Sequence, residues 1–265
     1  MSSQLGSPVT RPNRSNSGAT QRKMLHWELD ELTEYWATRC VLPLHSPSPQ
    51  PQYDGEGFEM SEPVWLRHTL RTSFPDYCKG PSRKDPRHLT LFGTPSNIIA
   101  CLREERVLEG LALIVAWGRM FRNPGAIYRT SLPRIELALR NSTDSIVKDG
   151  SIRTAWADLT EQLKWSPVIT SKCLHFVARA LDYEQNPPVP IDNSVVLRKV
   201  WPKFKHSIAR VREPGDPDLC RSWRRGTDSW GAYNRYMTAV VCWARERSWT
   251  TTQFENTMFA DYRSK

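Results

Sequence analysis

Apolar residues recur along this chain at intervals of three and four, the period of an amphipathic helix. Leu25, Leu29, Leu32 and Trp36 make the first such stripe. Thr94-Pro95 pairs a hydroxyl cap with a proline whose missing N–H costs nothing in a first turn, and so opens a second helix. That helix is expected to run through Ile99, Leu102, Leu108, Leu111 and Val115 to Met120, before Asn123-Pro124-Gly125 stops it. Further helices are predicted over Leu132 to Arg140, along Ile152, Trp156, Leu159 and Leu163, from Lys172 to Leu181, from Asp192 onward, and near 229–247 and 250–262. Strand alternation is scarce and no internal repeat stands out, so the expected fold class is all-α.

Between these stripes, composition marks the connections. Residues 1–21 are rich in Ser, Asn, Pro and Gly without an apolar period, and read as a disordered basic tail. His45 to Gly57 reads as a loop, and Val64 to Leu70 as a short apolar segment. The stretches 79–87 and 203–212 are basic. The chain of 265 residues is 39% hydrophobic, enough for one good core or two small lobes. Its net charge of +9 suits a polyanionic partner, with those two stretches expected along a duplex. No run approaches the ~18 apolar residues of a membrane span, and the polar start is not that of a signal peptide. Six scattered cysteines (Cys40, Cys78, Cys101, Cys173, Cys220, Cys242) without a CxxC point away from a disulfide framework and toward a reducing compartment.

The chemistry concentrates in WSPVITSKCLHFVARALDYEQNPPVPID, residues 165–192. Lys172 and Asp192 stand twenty residues apart. A helix of about ten residues from Lys172, followed by a return loop, brings an amine and a carboxylate to the same side of the molecule. That is a workable pair for attack on an electrophilic carbon. On position alone, Lys172 reads as solvated surface and Asp192 as an ordinary helix N-cap. At a helix start, the positive end of the macrodipole would also lower the pKa of Lys172.

Thr170-Ser171-Lys172, the helix after it, and Val189-Pro190-Ile191-Asp192 together resemble the catalytic segment of the helix-hairpin-helix DNA glycosylases, in particular the 8-oxoguanine DNA glycosylase branch. Trp230-Gly231-Ala232-Tyr233 through Trp243-Ala244-Arg245 resembles that family's late helix. The chain is a divergent member by this likeness, because Ser166-Pro167-Val168-Ile169 stands where the hairpin normally has its glycine pair. Only Cys220 and Cys242 follow Asp192, which excludes the four-cysteine iron–sulfur loop of some relatives.

The resemblance implies a two-lobed helical glycosylase fold with a degenerate hairpin, lobe one being 22–94 plus 200–265 and lobe two 95–199. It implies a monomer acting on double-stranded DNA that contains a modified base, in the cytoplasm on the nucleoid, with no metal or organic cofactor. Lys172 would attack C1′ of a flipped-out nucleotide, with Asp192 stabilising the oxocarbenium-like sugar. Trp230, Tyr233 and His175 would line the base pocket, and Ser171, Arg224 and Arg225 would contact DNA. The substrate would be an oxidised purine, in repair, or a modified base in foreign DNA, in antiviral defence. The alternative is a helical DNA-binding module without chemistry, which would keep the basic surface but not need the Lys172/Asp192 pair.

Overall fold

A computed structural model describes residues 31–38, 58–61, 74–82, 84–85, 87, 89–118, 127, 129–183, 186–192, 195–200 and 229–263, with Leu25, Trp27 and Leu44. The described chain is mostly helical, as expected. Its helices are α1 (Glu31–Ala37), α2 (Pro95–Arg103), α3 (Val107–Trp117), α4 (Leu132–Asp149), α5 (Ile152–Ala157), α6 (Pro167–Ala180), α7 (Ser229–Glu246) and α8 (Thr251–Arg263). Wider π-type turns extend α5 over Asp158–Gln162 and follow Asp192 over Val196–Val200. None of the described helices is long and apolar enough to cross a membrane. The tail, Val64 to Leu70 and 203–212 lie outside the described residues.

A small sheet departs from the all-α expectation. Strands β1 (Phe58–Ser61), β2 (Lys79–Pro81) and β3 (Leu89–Gly93) pair antiparallel in the order β1-β3-β2, with Phe58 opposite Gly93 and Lys79 opposite Leu91. It rests on α3. A Cβ on Gly93 would lie 2.7 Å from the Leu113 carbonyl oxygen, so glycine lets strand and helix backbones touch.

The long helix expected from Thr94 is two helices. It starts as foreseen, with the Thr94 hydroxyl accepting from the Asn97 N–H at 3.1 Å. It breaks at Glu105, whose φ of 59° is left-handed. The N–H groups of Glu105 and Arg106 turn back onto the carbonyls of Leu102 and Cys101, closing a Schellman cap. The same device ends α6 at Asp182 (φ 66°) and α7 at Ser248 (φ 56°). Helix α4 runs past Arg140 to Asp149 because its polar run is satisfied within the helix. Ser142 and Thr143 hydroxyls donate to the carbonyls of Ala138 and Leu139, and Gly150 (φ 64°) makes the stop.

The stripe Ile152, Trp156, Leu159 and Leu163 is buried throughout, as its spacing predicts. Helix α6 is central, with every residue from Ile169 to Ala178 buried. Helix α7 is buried from Ala232 to Ala244 apart from Arg235, and is fastened to α1 by the Trp243 indole N–H on the Ala37 carbonyl (2.9 Å) and by the Arg245–Glu34 ion pair (3.1 Å).

Candidate active site

Lys172 does not open its helix. Ser166 is the N-cap of α6 and Pro167 its first residue, which puts Lys172 in the second turn. The expected influence of the helix N-terminus is therefore replaced by burial. Lys172 is only 4% exposed, deep in the face that α6 turns toward α3. Its Nζ donates to the Gly118 carbonyl at 3.4 Å, at the C-terminal end of α3, where unsatisfied carbonyls attract a cation. The Trp117 ring lies 5.7 Å from the same nitrogen.

Loss of water drives the Lys172 amine below its ordinary pKa, while the carboxyl groups of Asp192 and Glu255 push the other way without overcoming it. Asp192 is the helix cap its sequence suggests, Oδ1 accepting from the Val195 N–H at 2.8 Å.

What aims Asp192 is the segment before it. Residues 186–191 belong to no helix or strand among the described residues, so their backbone groups need other partners. Pro187, Pro188 and Pro190 have no N–H to satisfy. The Ile191 N–H donates to Ser171 Oγ at 2.9 Å, and the Val189 N–H to Met237 Sδ at 3.2 Å. Each carbonyl from Asn186 to Val189 accepts from a different side chain: Trp27 Nε1 (3.2 Å), Thr251 Oγ1 (3.2 Å), His175 Nδ1 (2.7 Å) and the Tyr233 hydroxyl (3.1 Å). Side chains of α6, α7, α8 and Trp27 thus form a cradle that does the work of a sheet.

Three residues expected at the substrate belong to this cradle instead. Ser171 was expected on DNA, but it is fully buried and its hydroxyl is taken up by Ile191 and, as donor, by the Val168 carbonyl (3.2 Å). Tyr233 was expected against a base, but it is fully buried and its ring stacks on Trp156 at 4.3 Å. Burial and the nearby Arg179 hold His175 down at about 3, so its ring is neutral. The proton must sit on Nδ1, because the Pro188 carbonyl only accepts. Trp230 is partly buried and meets Trp156 edge-on at 6.1 Å. Arg224 and Arg225 lie outside the described residues, while Lys79, Lys84 and Arg87 of the first basic stretch are exposed.

Glu255 is the group the sequence reading missed. It stands on the buried stripe of α8 with Thr251, Phe254, Met258 and Tyr262, and is itself 5% exposed. A glutamate on an apolar helix face was the available signal. Burial pushes its carboxyl up to about 8, against the pull of Arg179 and Lys172. Among the described residues, no group of three or more His, Cys, Asp or Glu side chains could hold a metal ion. The arrangement offers one desolvated amine and two carboxyl groups whose charge acts on it, groups of the kind that nucleophilic chemistry uses. Compared with known families, curated proteins and solved structures, the chain matches no family model, no curated protein and no solved structure.

Proposed function

We propose that this chain is a DNA glycosylase that excises a modified base from duplex DNA, with Lys172 as nucleophile and Asp192 as the carboxylate facing the sugar. The observation that supports it most is the buried Lys172 amine. Burial favours its neutral, nucleophilic form in the company of two carboxyl groups. The side-chain cradle that fixes the segment leading to Asp192, whose charge acts on that amine, points the same way.

The target nucleotide leaves the stack at a cost of a few kcal/mol of unstacking. The Lys172 nitrogen bonds to C1′ as the glycosidic C–N bond breaks, and the departing base takes up a proton. Asp192 offsets positive charge on C1′ while that exchange occurs. Opening of the sugar then releases O4′ from C1′ and leaves a Schiff base. Loss of a C2′ proton expels the 3′ phosphate, so strand cleavage accompanies base release. The substrate class is an oxidised purine or a modified base of foreign DNA, the first making the protein a repair enzyme and the second a defence factor.

The Lys172 contact with Gly118 favours a second reading, a DNA-binding module in which this amine only caps α3. One experiment separates the two. Duplexes carrying a panel of modified bases are incubated with wild type and Lys172→Gln. The enzyme reading requires release of at least one base by wild type and none by a folded Lys172→Gln. Binding without release of any base would leave the module.

A further inference from the structure

We infer that Cys78 and Cys101 are a peroxide-reactive thiol pair, which closes to a disulfide and so clamps the basic strand β2 to helix α2. The inference is independent of the glycosylase reading.

Cys78 ends the short helical turn Asp76–Cys78 and is followed at once by Lys79, the first residue of β2. Cys101 lies near the C-terminal end of α2. The two are 23 residues apart in the chain, yet their Sγ atoms are 3.7 Å from one another and both side chains are fully buried. Both are free thiols. Cysteines packed only as small apolar groups would need nothing further around them. Here the Tyr77 hydroxyl lies 3.5 Å from Cys101 Sγ and donates to Glu104 Oε2 at 3.0 Å. Arg106 Nε stands 3.4 Å from the same carboxylate oxygen. Tyr77 is 42% exposed, so a polar chain runs from the buried sulfurs to solvent. Two thiols do not close a zinc site, and among the described residues no third His, Cys, Asp or Glu completes one.

That chain is a route for the proton a reactive thiol must lose. Cys101 passes its proton to the Tyr77 oxygen as Tyr77 passes its own to the Glu104 carboxylate, and from there to water. The thiolate left behind accepts from the Cys78 S–H and the Tyr77 O–H. These bonds, that with Cys78 foremost, hold the Cys101 thiol below its ordinary pKa against burial, while the same contact and burial push Cys78 up. Cys101 is thus the attacking sulfur and Cys78 the resolving one. The thiolate bonds to one oxygen of hydrogen peroxide as the O–O bond breaks, and the hydroxide that leaves takes a proton to become water. Cys101 is then a sulfenic acid. The Cys78 sulfur displaces its hydroxyl, which departs as water with the Cys78 proton, and the S–S bond forms. Two thiols have lost two electrons, and one peroxide has become two waters.

The bond would act on the most weakly held part of the sheet. Strand β2 is a three-residue edge, paired with β3 alone, and it opens the basic stretch whose Lys79, Lys84 and Arg87 are exposed. Helix α2 is seated on the end of α6, with Arg103 Nε donating to the Ala180 carbonyl at 3.3 Å. A disulfide therefore fastens the start of that stretch to the frame around the Lys172 helix.

The test treats reduced full-length protein with hydrogen peroxide, blocks the remaining thiols and digests with trypsin without reductant. Residues 72–79 should be found joined to 88–103, about 2 Da lighter than the two reduced peptides together, and dithiothreitol should separate them. Amide exchange over 79–82 should slow on the order of tenfold or more in the oxidised protein. In Cys78→Ala, dimedone should capture Cys101 as its sulfenic acid. A wild-type map in which the two cysteines stay as thiols, or pair with others, overturns the site and needs no variant. A linked pair with unchanged exchange over 79–82 overturns the clamp. A folded Cys78→Ala with no dimedone on Cys101 overturns its place as the attacking sulfur.

Discussion

Replacing Ser171 with alanine removes one oxygen at a place where water cannot replace it. Ser171 and Ile191 are both fully buried, and the Ile191 N–H has Ser171 Oγ as its acceptor at 2.9 Å. Ser171→Ala leaves that N–H without a partner, which costs about 1–3 kcal/mol, whereas loss of an ordinary hydrogen bond costs about 1 kcal/mol. The lost donation to the Val168 carbonyl adds little, because that carbonyl lies in the first turn of α6. Roughly 2 kcal/mol is a large fraction of the 5–15 kcal/mol that holds a domain together. The same bond is the last tie before Asp192, so the carboxylate should also lose its aim. A displacement of about 1 Å in a catalytic group typically costs ~100-fold in rate. Urea unfolding measures the first effect, and single-turnover base release under folded conditions the second. Thr143→Ala is the control: its hydroxyl donates to the Leu139 carbonyl but, among the described residues, accepts from no buried N–H, and it should cost under about 0.5 kcal/mol. A Ser171→Ala variant as stable and as fast as the control would refute the anchoring role.

Three further outcomes follow from the same geometry. Asp192→Asn should melt within about 1 kcal/mol of wild type, because asparagine caps nearly as well. Its base release should fall ~100-fold or more, and unchanged release would reduce Asp192 to a cap. Tyr233→Phe deletes the donor to Val189, so it should cost about 1 kcal/mol and slow every substrate alike; a change in which base is preferred would restore Tyr233 to the pocket. Stability should depend on pH through three buried groups, and Lys172, lowered by burial, works against Glu255: its contribution is complete only above the unfolded value near 10.5 and falls as pH drops. His175 is held at about 3, so its contribution is complete above the unfolded value near 6.5 and is lost as pH falls toward 3. Glu255 is raised to about 8, so its contribution is complete below the unfolded value near 4.5 and is lost as pH rises through 8. The His175 and Glu255 limbs each amount to roughly 5 kcal/mol at most, and thermal melts across pH should show Glu255→Gln losing the alkaline limb only.

The parts of the fold legible from sequence are those where burial and helical period coincide. The Ile152, Trp156, Leu159, Leu163 stripe and the Thr94-Pro95 start both follow from side-chain chemistry within a few residues. Helix ends at Glu105, Asp182 and Ser248 escaped because left-handed caps ordinarily carry glycine, and these do not. The sheet escaped because β2 is Lys-Gly-Pro, too short and too poor in β-formers to alternate. The start of α6 was misplaced at Lys172, although Ser166-Pro167 repeats the hydroxyl-then-proline pattern of Thr94-Pro95. At the site, the amine and the capping aspartate could be named from their spacing and lead-in. The roles of Ser171, His175 and Tyr233 could not. Whether a polar side chain meets a ligand or, like Tyr233, a backbone carbonyl 44 residues away is decided by tertiary packing, which local pattern does not encode.

The most direct test is borohydride trapping on a duplex with a single abasic site, where Schiff-base formation does not depend on the identity of the excised base. Reduction should link the sugar to Lys172, and trypsin should then fail to cut there, leaving residues 165–179 as one modified peptide. Lys172→Gln should yield no adduct while retaining duplex binding. An adduct that maps to another amine, or that survives in Lys172→Gln, would contradict the assignment of Lys172 as nucleophile.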